Sequence, residues 1–292
     1  MPKTLFLVDG HAVCYKYYYG TIKGPTFTSY GENTSTTFGM AKLITTIMQG
    51  FQPTHLAVIF DPAGGNWRRD IYPEYKANRT KPDDISFHLA RSFEMLKTWG
   101  IYTSAFAKLE ADDVIGAITK RAEAKGFTVT IVTKDKDYAQ LVNDRVKLLD
   151  LGNTIGKDKA TFIDHAGVVA KWGVAPSQII DYLSICGDVS DNIKGVDGIG
   201  KKWASTLLSK YGSIGGIYQN LDKLTKSQKK KFEDSREALK LAKRLVTMVT
   251  EVKLPFELET ALATPQNLNA EILDMFRRLE FHTVIQDLTS GS

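Results

Sequence analysis

At 292 residues the chain can bury a sizeable core, as one large domain or a large one with a small companion. Its apolar share of 43% and charged share of 24% are those of an ordinary globular protein, and no apolar run approaches the ~20 residues of a membrane span. The net charge of +5 hides a division, since residues 201–253 carry 13 Lys and Arg against 5 Asp and Glu and the rest is net acidic. A basic segment downstream of an acidic one suits a polyanionic partner. Taken alone, it is equally a solvated, lysine-rich helical face. The amino terminus passes straight into a strand pattern without signal-peptide architecture. Cys14 and Cys186, outside any CxxC motif, read as reduced thiols of a cytoplasmic protein.

The apolar run Leu5–Val8 predicts a first strand over 4–9, ending on Asp9. Met40, Leu43, Ile44, Ile47 and Met48 recur with helical spacing between Gly39 and Gly50, and a second strand over 55–60 leads into Asp61. A strand–helix–strand unit predicts a parallel sheet with a right-handed crossover. Residues 62–84, with Gly64, Gly65, Pro73 and Pro82, read as irregular. Ile85, Leu89, Phe93, Leu96 and Trp99 predict a helix ending before Gly100. A short strand over 101–106, a helix over about 111–125 stopped by Gly126, and a strand over 127–132 follow. A short helix near 137–142 and a strand over 146–150 come next, and the pattern from about 161 to the end is helical. Leu268, Ile272, Leu273, Met275, Phe276 and Leu279 predict a final helix docked on the core.

The acidic residues are placed by these elements. Open α/β sheets bind ligands at the carboxyl ends of their strands. Asp9 and Asp61 close strands, Asp135 and Asp137 follow one, Glu110, Asp112 and Asp113 open a helix, and Asp188 and Asp191 follow the apolar stretch 179–186. Some of these could be helix caps or surface turns. Nine carboxylates brought to one edge would repel, and divalent cations with oxygen ligands would neutralise them. Gly195-Val-Asp197-Gly198-Ile199-Gly200-Lys201-Lys202 precedes a helical pattern and reads as a helix–hairpin–helix, which grips a nucleic-acid backbone. Tyr72-Pro-Glu-Tyr75-Lys76-Ala-Asn-Arg79-Thr-Lys81 sets cations among aromatics that could hold a phosphodiester and stack a base. Lys16, among tyrosines near Asp9, repeats that theme, although the tyrosines could equally pack in the core.

Leu7-Val-Asp9-Gly10, Phe60-Asp61, Tyr75-Lys76-x-x-Arg79, Glu110-Ala-Asp112-Asp113, Thr133-Lys-Asp135-Lys-Asp137 and Gly187-Asp188-x-x-Asp191 occur here in one order. In this the chain resembles the 5′-nuclease domain of bacterial DNA polymerase I and its stand-alone phage relatives, within the flap endonuclease family. The resemblance implies an α/β fold, PIN-like, with a mostly parallel central sheet and helices on both faces. It implies a nuclease domain over 1–178 with a helical arch near 70–100, a helix–hairpin–helix subdomain over 179–255, and a C-terminal helical segment over 256–292. It implies a structure-specific 5′-to-3′ exonuclease and 5′-flap endonuclease of replication or repair, using two Mg²⁺ ions for which Mn²⁺ could substitute. Asp9, Asp61, Glu110, Asp112 and Asp113 would hold one ion, and Asp135, Asp137, Asp188 and Asp191 a second. Lys76 and Arg79 would face the scissile phosphate. Lys16, where the family usually has Arg, would bind DNA with Arg68, Gly195, Gly198, Gly200, Lys201 and Lys202. A potassium ion would sit on the main-chain carbonyls of Ile185, Cys186, Lys194, Val196 and Ile199. The implied partner is DNA with a free 5′ end, a flap or a nick, bound by a monomer away from any membrane. A PIN-like ribonuclease and a non-catalytic DNA-junction binder stand as alternatives.

Overall fold

The structure is a computed structural model and describes residues 2–150, 160–265 and 268–290. Six strands form one sheet: β1 (Thr4–Asp9), β2 (His55–Phe60), β3 (Tyr102–Ala105), β4 (Thr128–Val132), β5 (Val146–Asp150) and β6 (Thr161–Ile163). Their order is β3-β2-β1-β4-β5-β6, and the first five run parallel. The order reverses at β1, which pairs with β2 on one side and β4 on the other, opening a crevice at its carboxyl end. The apolar runs are unbroken because both faces are covered. Leu5, Leu7, Ala57, Ile59, Val129 and Ile131 enter one core, and Phe6, Val8, Leu56, Val58 and Phe60 the other.

On the second face pack α1 (Gly10–Thr21), α2 (Ser35–Phe51) and α4 (Ile85–Thr98), with α13 (Ala270–Arg278) and α14 (His282–Ser290). Trp99 and Phe276 meet there edge to face at 5.1 Å, so the C-terminal helices dock on the core as their apolar spacing predicts. Helix α5 (Ala111–Ala124) covers the first face with Val114, Ile115 and Ile118. Beside it lies a 3-10 turn, Lys136–Leu141. Helix α6 (His165–Trp172) leads to the helical subdomain, α7 (Ile179–Cys186), α8 (Lys201–Tyr211), α9 (Ile214–Gln219), α10 (Lys226–Asp234) and α11 (Arg236–Val246). Helix α11 lies against α7, and Lys243 pairs with Asp181 at 2.8 Å. The short α12 (Leu258–Ala261) precedes α13.

The structure corrects three readings of the sequence. Residues 10–21, given no element, form α1, with the Asp9 carboxylate capping it by accepting the Ala12 N–H at 3.0 Å. The irregular segment 62–84 contains α3 (Trp67–Ile71). The chain from 161 is not helical throughout, because 161–163 adds β6 antiparallel to β5. Of the segment 70–100, α4 belongs to the helical layer, packed on α1 and α2, and the turns before it border the sheet's carboxyl edge.

Candidate metal-binding cleft

A cleft of about 520 Å³ opens at that edge. Asp9, Asp61, Glu110, Asp112 and Asp135 line it together with Lys76 and Arg79. Each carboxylate arrives from a strand end. Asp9 closes β1, Asp61 follows β2, Glu110 and Asp112 open α5 after β3, and Asp135 follows β4. The Asp61 carboxylate accepts the Ala111 N–H at 2.8 Å, tying the end of β2 to the start of α5. Thr133 links the next pair, its hydroxyl accepting the Asp135 N–H at 3.0 Å and lying 3.5 Å from Asp9 Oδ2. A second group adjoins the first. Asp137, Asp188 and Asp191 each offer an oxygen within 4.8 Å of the others.

Crowding shows in the acid–base behaviour of these groups. Burial, then the neighbouring Asp61 and Asp135, push the Asp9 carboxyl up to about 7 against the Ala12 hydrogen bond. Burial and Asp135 push Asp137 up to about 8, and burial and Asp135 raise Asp112 well above the carboxylate range. Asp137 Oδ1 is buried with no hydrogen-bond partner among the described residues. A buried carboxylate oxygen without a hydrogen bond, 3.6 Å from the Lys136 ammonium and beside two more carboxylates, is a donor set for a hard divalent cation. The residues present therefore fit the metal ions that the sequence implies.

Protein cations bridge the two groups. Lys76 pairs with Glu110 and lies 3.8 Å from Asp191, and Arg79 pairs with Asp191. Burial opposes the charge on Lys76, but Glu110 and Asp191 hold its pKa above the ordinary lysine value. Lys136 pairs with Asp188, whose pKa lies below the usual carboxylate range because hydrogen bonds from Lys136 and Ser190 outweigh burial. The buried Tyr75 hydroxyl lies 2.9 Å from Glu110 Oε2 and 3.0 Å from Asp191 Oδ2. The turn carrying these side chains is stitched to the loop carrying Asp188 and Asp191. The Lys76 N–H donates to the Asp191 carbonyl at 2.9 Å, Asn78 Nδ2 to the Val189 carbonyl at 2.8 Å, and Arg79 Nε to the Ser190 carbonyl at 3.0 Å. Lys76 and Asn192 both hold the left-handed backbone, with φ of 54° and 58°, a conformation that costs a non-glycine residue about 1–2 kcal/mol.

Several candidate residues stand elsewhere. Asp113 does not reach the cleft. It is fully buried, and Arg68 grips it with two nitrogens, at 2.7 Å and 2.9 Å, while the Trp67 indole and the Val249 N–H supply further donors. Arg68 is itself buried, donating also to Glu110 and to the carbonyls of Leu245 and Thr247, so it is not available to DNA. Lys16 lies outside the cleft lining, its ammonium 4.9 Å from the centre of the Tyr17 ring. In the hairpin of 187–200, Asp188 and Ile193 exchange two backbone hydrogen bonds of 2.8 Å. Gly195 is packed rather than presented, since a Cβ there would stand 2.3 Å from the Ile185 carbonyl oxygen. Gly198 holds φ of 66°, and Gly200 is the residue before α8, on whose first turn Lys201 and Lys202 are exposed. Of the carbonyls considered for potassium, Ile185 accepts from Val196 at 2.8 Å and Val196 from Ile199 at 3.0 Å, leaving each a second lone pair.

Residues given no role by the sequence also take part. Lys136, inside a quoted motif, pairs with Asp188, while Tyr75, expected among the aromatics that could stack a base, is instead buried against Glu110 and Asp191. His11, also given no role, lines the cleft and accepts the Asp61 N–H on Nδ1 at 3.0 Å. Burial holds its pKa below the ordinary imidazole value despite Asp61. The single signal for His11 is its place directly after Asp9-Gly10, which a lone histidine does not make decisive.

Carboxylates gathered from four strand ends, with cations set across them and Lys201 and Lys202 exposed beyond the hairpin, define a metal-dependent nuclease. Residues 4–173 match the family described as 5′-3′ exonuclease, N-terminal resolvase-like domain, and residues 174–269 match 5′-3′ exonuclease, C-terminal SAM fold. The chain belongs to the 5′-3′ exonuclease family. It is 34% identical over 279 residues to DNA polymerase I of Chloroflexus aurantiacus, covering 95% of this chain and 29% of that protein. It is 33% identical over 284 residues to the thermostable DNA polymerase I of Thermus thermophilus, covering 97% of this chain and 33% of that protein. The chain thus spans about a third of the length of these curated relatives. In fold it is similar to a zinc-bound T5 5′-exonuclease, with a TM-score of 0.70, 21% identity and coverage of 98% of this chain and 100% of that one. It is also similar to flap endonuclease-1 from Methanococcus jannaschii, with a TM-score of 0.63, 17% identity and coverage of 99% and 92%. Among the described residues no helix is long and apolar enough to cross a membrane.

Proposed function

We propose that the chain is a structure-specific DNA 5′-to-3′ exonuclease and 5′-flap endonuclease that hydrolyses phosphodiester bonds with two Mg²⁺ ions. The observation that carries this reading is the joining of Asp9, Asp61, Glu110, Asp112 and Asp135 with Lys76 and Arg79 in one cleft, beside the group of Asp137, Asp188 and Asp191. Divalent ions held by these carboxylates would supply charge neutralisation at the phosphate and activate a water for attack. Lys76 and Arg79 line the same cleft as Asp9, Asp61, Glu110, Asp112 and Asp135, and there they would meet the negative charge of the cleaved phosphate. The carbonyls of Val189, Ser190 and Asp191 hold the turn of Lys76 and Arg79 in register, so metal ligation and phosphate contact would be set by one unit. Lys201 and Lys202, exposed at the start of α8, would grip the backbone of the duplex, and a K⁺ ion on the hairpin carbonyls would add to that grip. The zinc-bound T5 5′-exonuclease and the DNA complexes among the solved relatives support this reading.

The test is a 5′-flap oligonucleotide with Mg²⁺ against EDTA, each in KCl and in NaCl. Cleavage is expected with Mg²⁺ alone, faster in KCl. Asp112→Asn is expected to abolish cleavage while leaving flap binding largely intact, and Mg²⁺-dependent cutting by that variant would overturn the assignment. Faster cutting of single-stranded RNA would favour the ribonuclease reading, and binding without cutting the junction binder.

A further inference from the structure

We propose that His11 is a substrate-contacting residue of the cleft, donating a hydrogen bond from Nε2 to a phosphate oxygen of the strand being cut. This rests on the nuclease reading above. The argument begins with which ring nitrogen is free. The Asp61 N–H donates to His11 Nδ1 at 3.0 Å, so Nδ1 must keep its lone pair. The ring proton then belongs to Nε2, since an imidazole held as an acceptor through one nitrogen is a donor through the other. Nε2 has no hydrogen-bond partner among the described residues, on a ring that lines the cleft with Asp9, Asp61, Lys76 and Arg79.

The ring is held in place by more than that one bond. His11 meets Phe60 edge to face at 5.7 Å and Tyr15, one helical turn along α1, at 6.4 Å. Its position is therefore set by β2 through Asp61 and Phe60, and by its own helix. In a cleft lined by carboxylates and by cations such as Lys76 and Arg79, a fixed N–H donor has one natural partner in a nucleic acid, the anionic phosphate oxygen. Lys76 is engaged by Glu110 and Asp191 and Arg79 by Asp191, so His11 offers the contact from the side of β1 and β2.

The alternative is that His11 merely clamps the main chain of Asp61. Two substitutions separate these roles. In His11→Asn the side-chain oxygen can still accept the Asp61 N–H, while the donor at the Nε2 position is lost. In His11→Gln the amide N–H reaches the Nε2 position, while the acceptor at Nδ1 is lost. The readouts are the KM and kcat for a 5′-flap oligonucleotide, its Kd in EDTA, the Mg²⁺ concentration for half-maximal rate, and a thermal melt of each variant. His11→Asn is expected to raise KM and Kd about tenfold, the loss of one charge-assisted hydrogen bond, with the Mg²⁺ requirement unmoved. His11→Gln is expected to recover most of that affinity. The proposal is overturned if His11→Asn keeps the wild-type KM, or if His11→Gln is the weaker variant and needs more Mg²⁺, the mark of a clamp on Asp61. Should His11→Asn unfold, His11→Gln decides alone, by matching or missing the wild-type Kd. A wild-type chain that binds the flap but does not cut it would sink the nuclease reading, and the Kd comparison would still judge His11.

Discussion

Single side chains divide the acidic residues into five that line the cleft, three that adjoin it and one that turns away. Asp113 follows Asp112 directly, yet the helix turns its carboxylate inward, where Arg68 takes both of its oxygens. The pair is buried, and removing one member would leave an uncompensated charge out of water. Arg68→Ala is therefore expected to destabilise the fold by about 3–5 kcal/mol. Glu110 would lose a donor at 3.0 Å in the same step, so the cleft should also hold divalent ions less tightly. Chemical denaturation of the metal-free protein checks the first effect and Mn²⁺ titration the second. An Arg68→Ala protein of unchanged stability but weakened DNA binding would return Arg68 to the role of a DNA contact. Asp9 and Asp61 were legible because a strand pattern fixes where its last residue points. The Arg68–Asp113 pair was not, because its partners lie 45 residues apart and nothing local in either segment marks the contact. His11 was missed for a related reason, since its partner is the backbone of Asp61.

Among the elements, the hairpin of 187–200 ties the second carboxylate group to the helical subdomain. Gly187 holds φ of 69°, and a Cβ on it would lie 2.5 Å from the Gly195 nitrogen. A Cβ on Gly195 would lie 2.4 Å from the Gly187 nitrogen. The two backbones are in contact, so the glycines of this motif are needed first for the turn itself. Gly195→Ala is expected to cost about 1–3 kcal/mol through backbone displacement. Gly200→Ala, with nothing within 4 Å of the added carbon, should stay within about 0.5 kcal/mol of the parent. Thermal melts of the two variants side by side check this, and equal melting temperatures would refute the packing argument. Element patterns in the sequence reached most of the sheet, because parallel strands buried on both faces read as apolar runs. They missed α1, whose Tyr15, Tyr17, Tyr18 and Tyr19 favour strands by intrinsic preference and whose cap, Asp9, doubles as a cleft carboxylate. They missed β6 because three residues are too few for a period, and pairing with β5 alone defines that strand.

For the whole molecule, the crowded carboxylates make stability depend on pH and metal together. Burial and mutual repulsion raise Asp9 to about 7 and Asp137 to about 8, and raise Asp112 in the same direction. Each group binds its proton more tightly in the fold than in the unfolded chain, where an aspartate titrates near 4. Their contribution is thus present in full below about pH 4 and is lost as pH rises through the folded values. Asp188, shifted the other way, loses its stabilisation below its unfolded value and so acts outside this window. In EDTA the melting temperature is therefore expected to fall as pH rises from about 5 to about 8. Mg²⁺ binds the deprotonated carboxylates, so the rise in melting temperature that it brings should be small at pH 5 and largest at pH 8. Proton release on adding Mg²⁺ should follow the same course. Melts across this range with Mg²⁺ or EDTA make the measurement. A melting temperature in EDTA that stays flat from pH 5 to 8 would mean that Lys76, Arg79 and Lys136 already neutralise the cluster. The carboxylates would then gain little from divalent ions, and the fold's stability would no longer be coupled to the metals its activity requires.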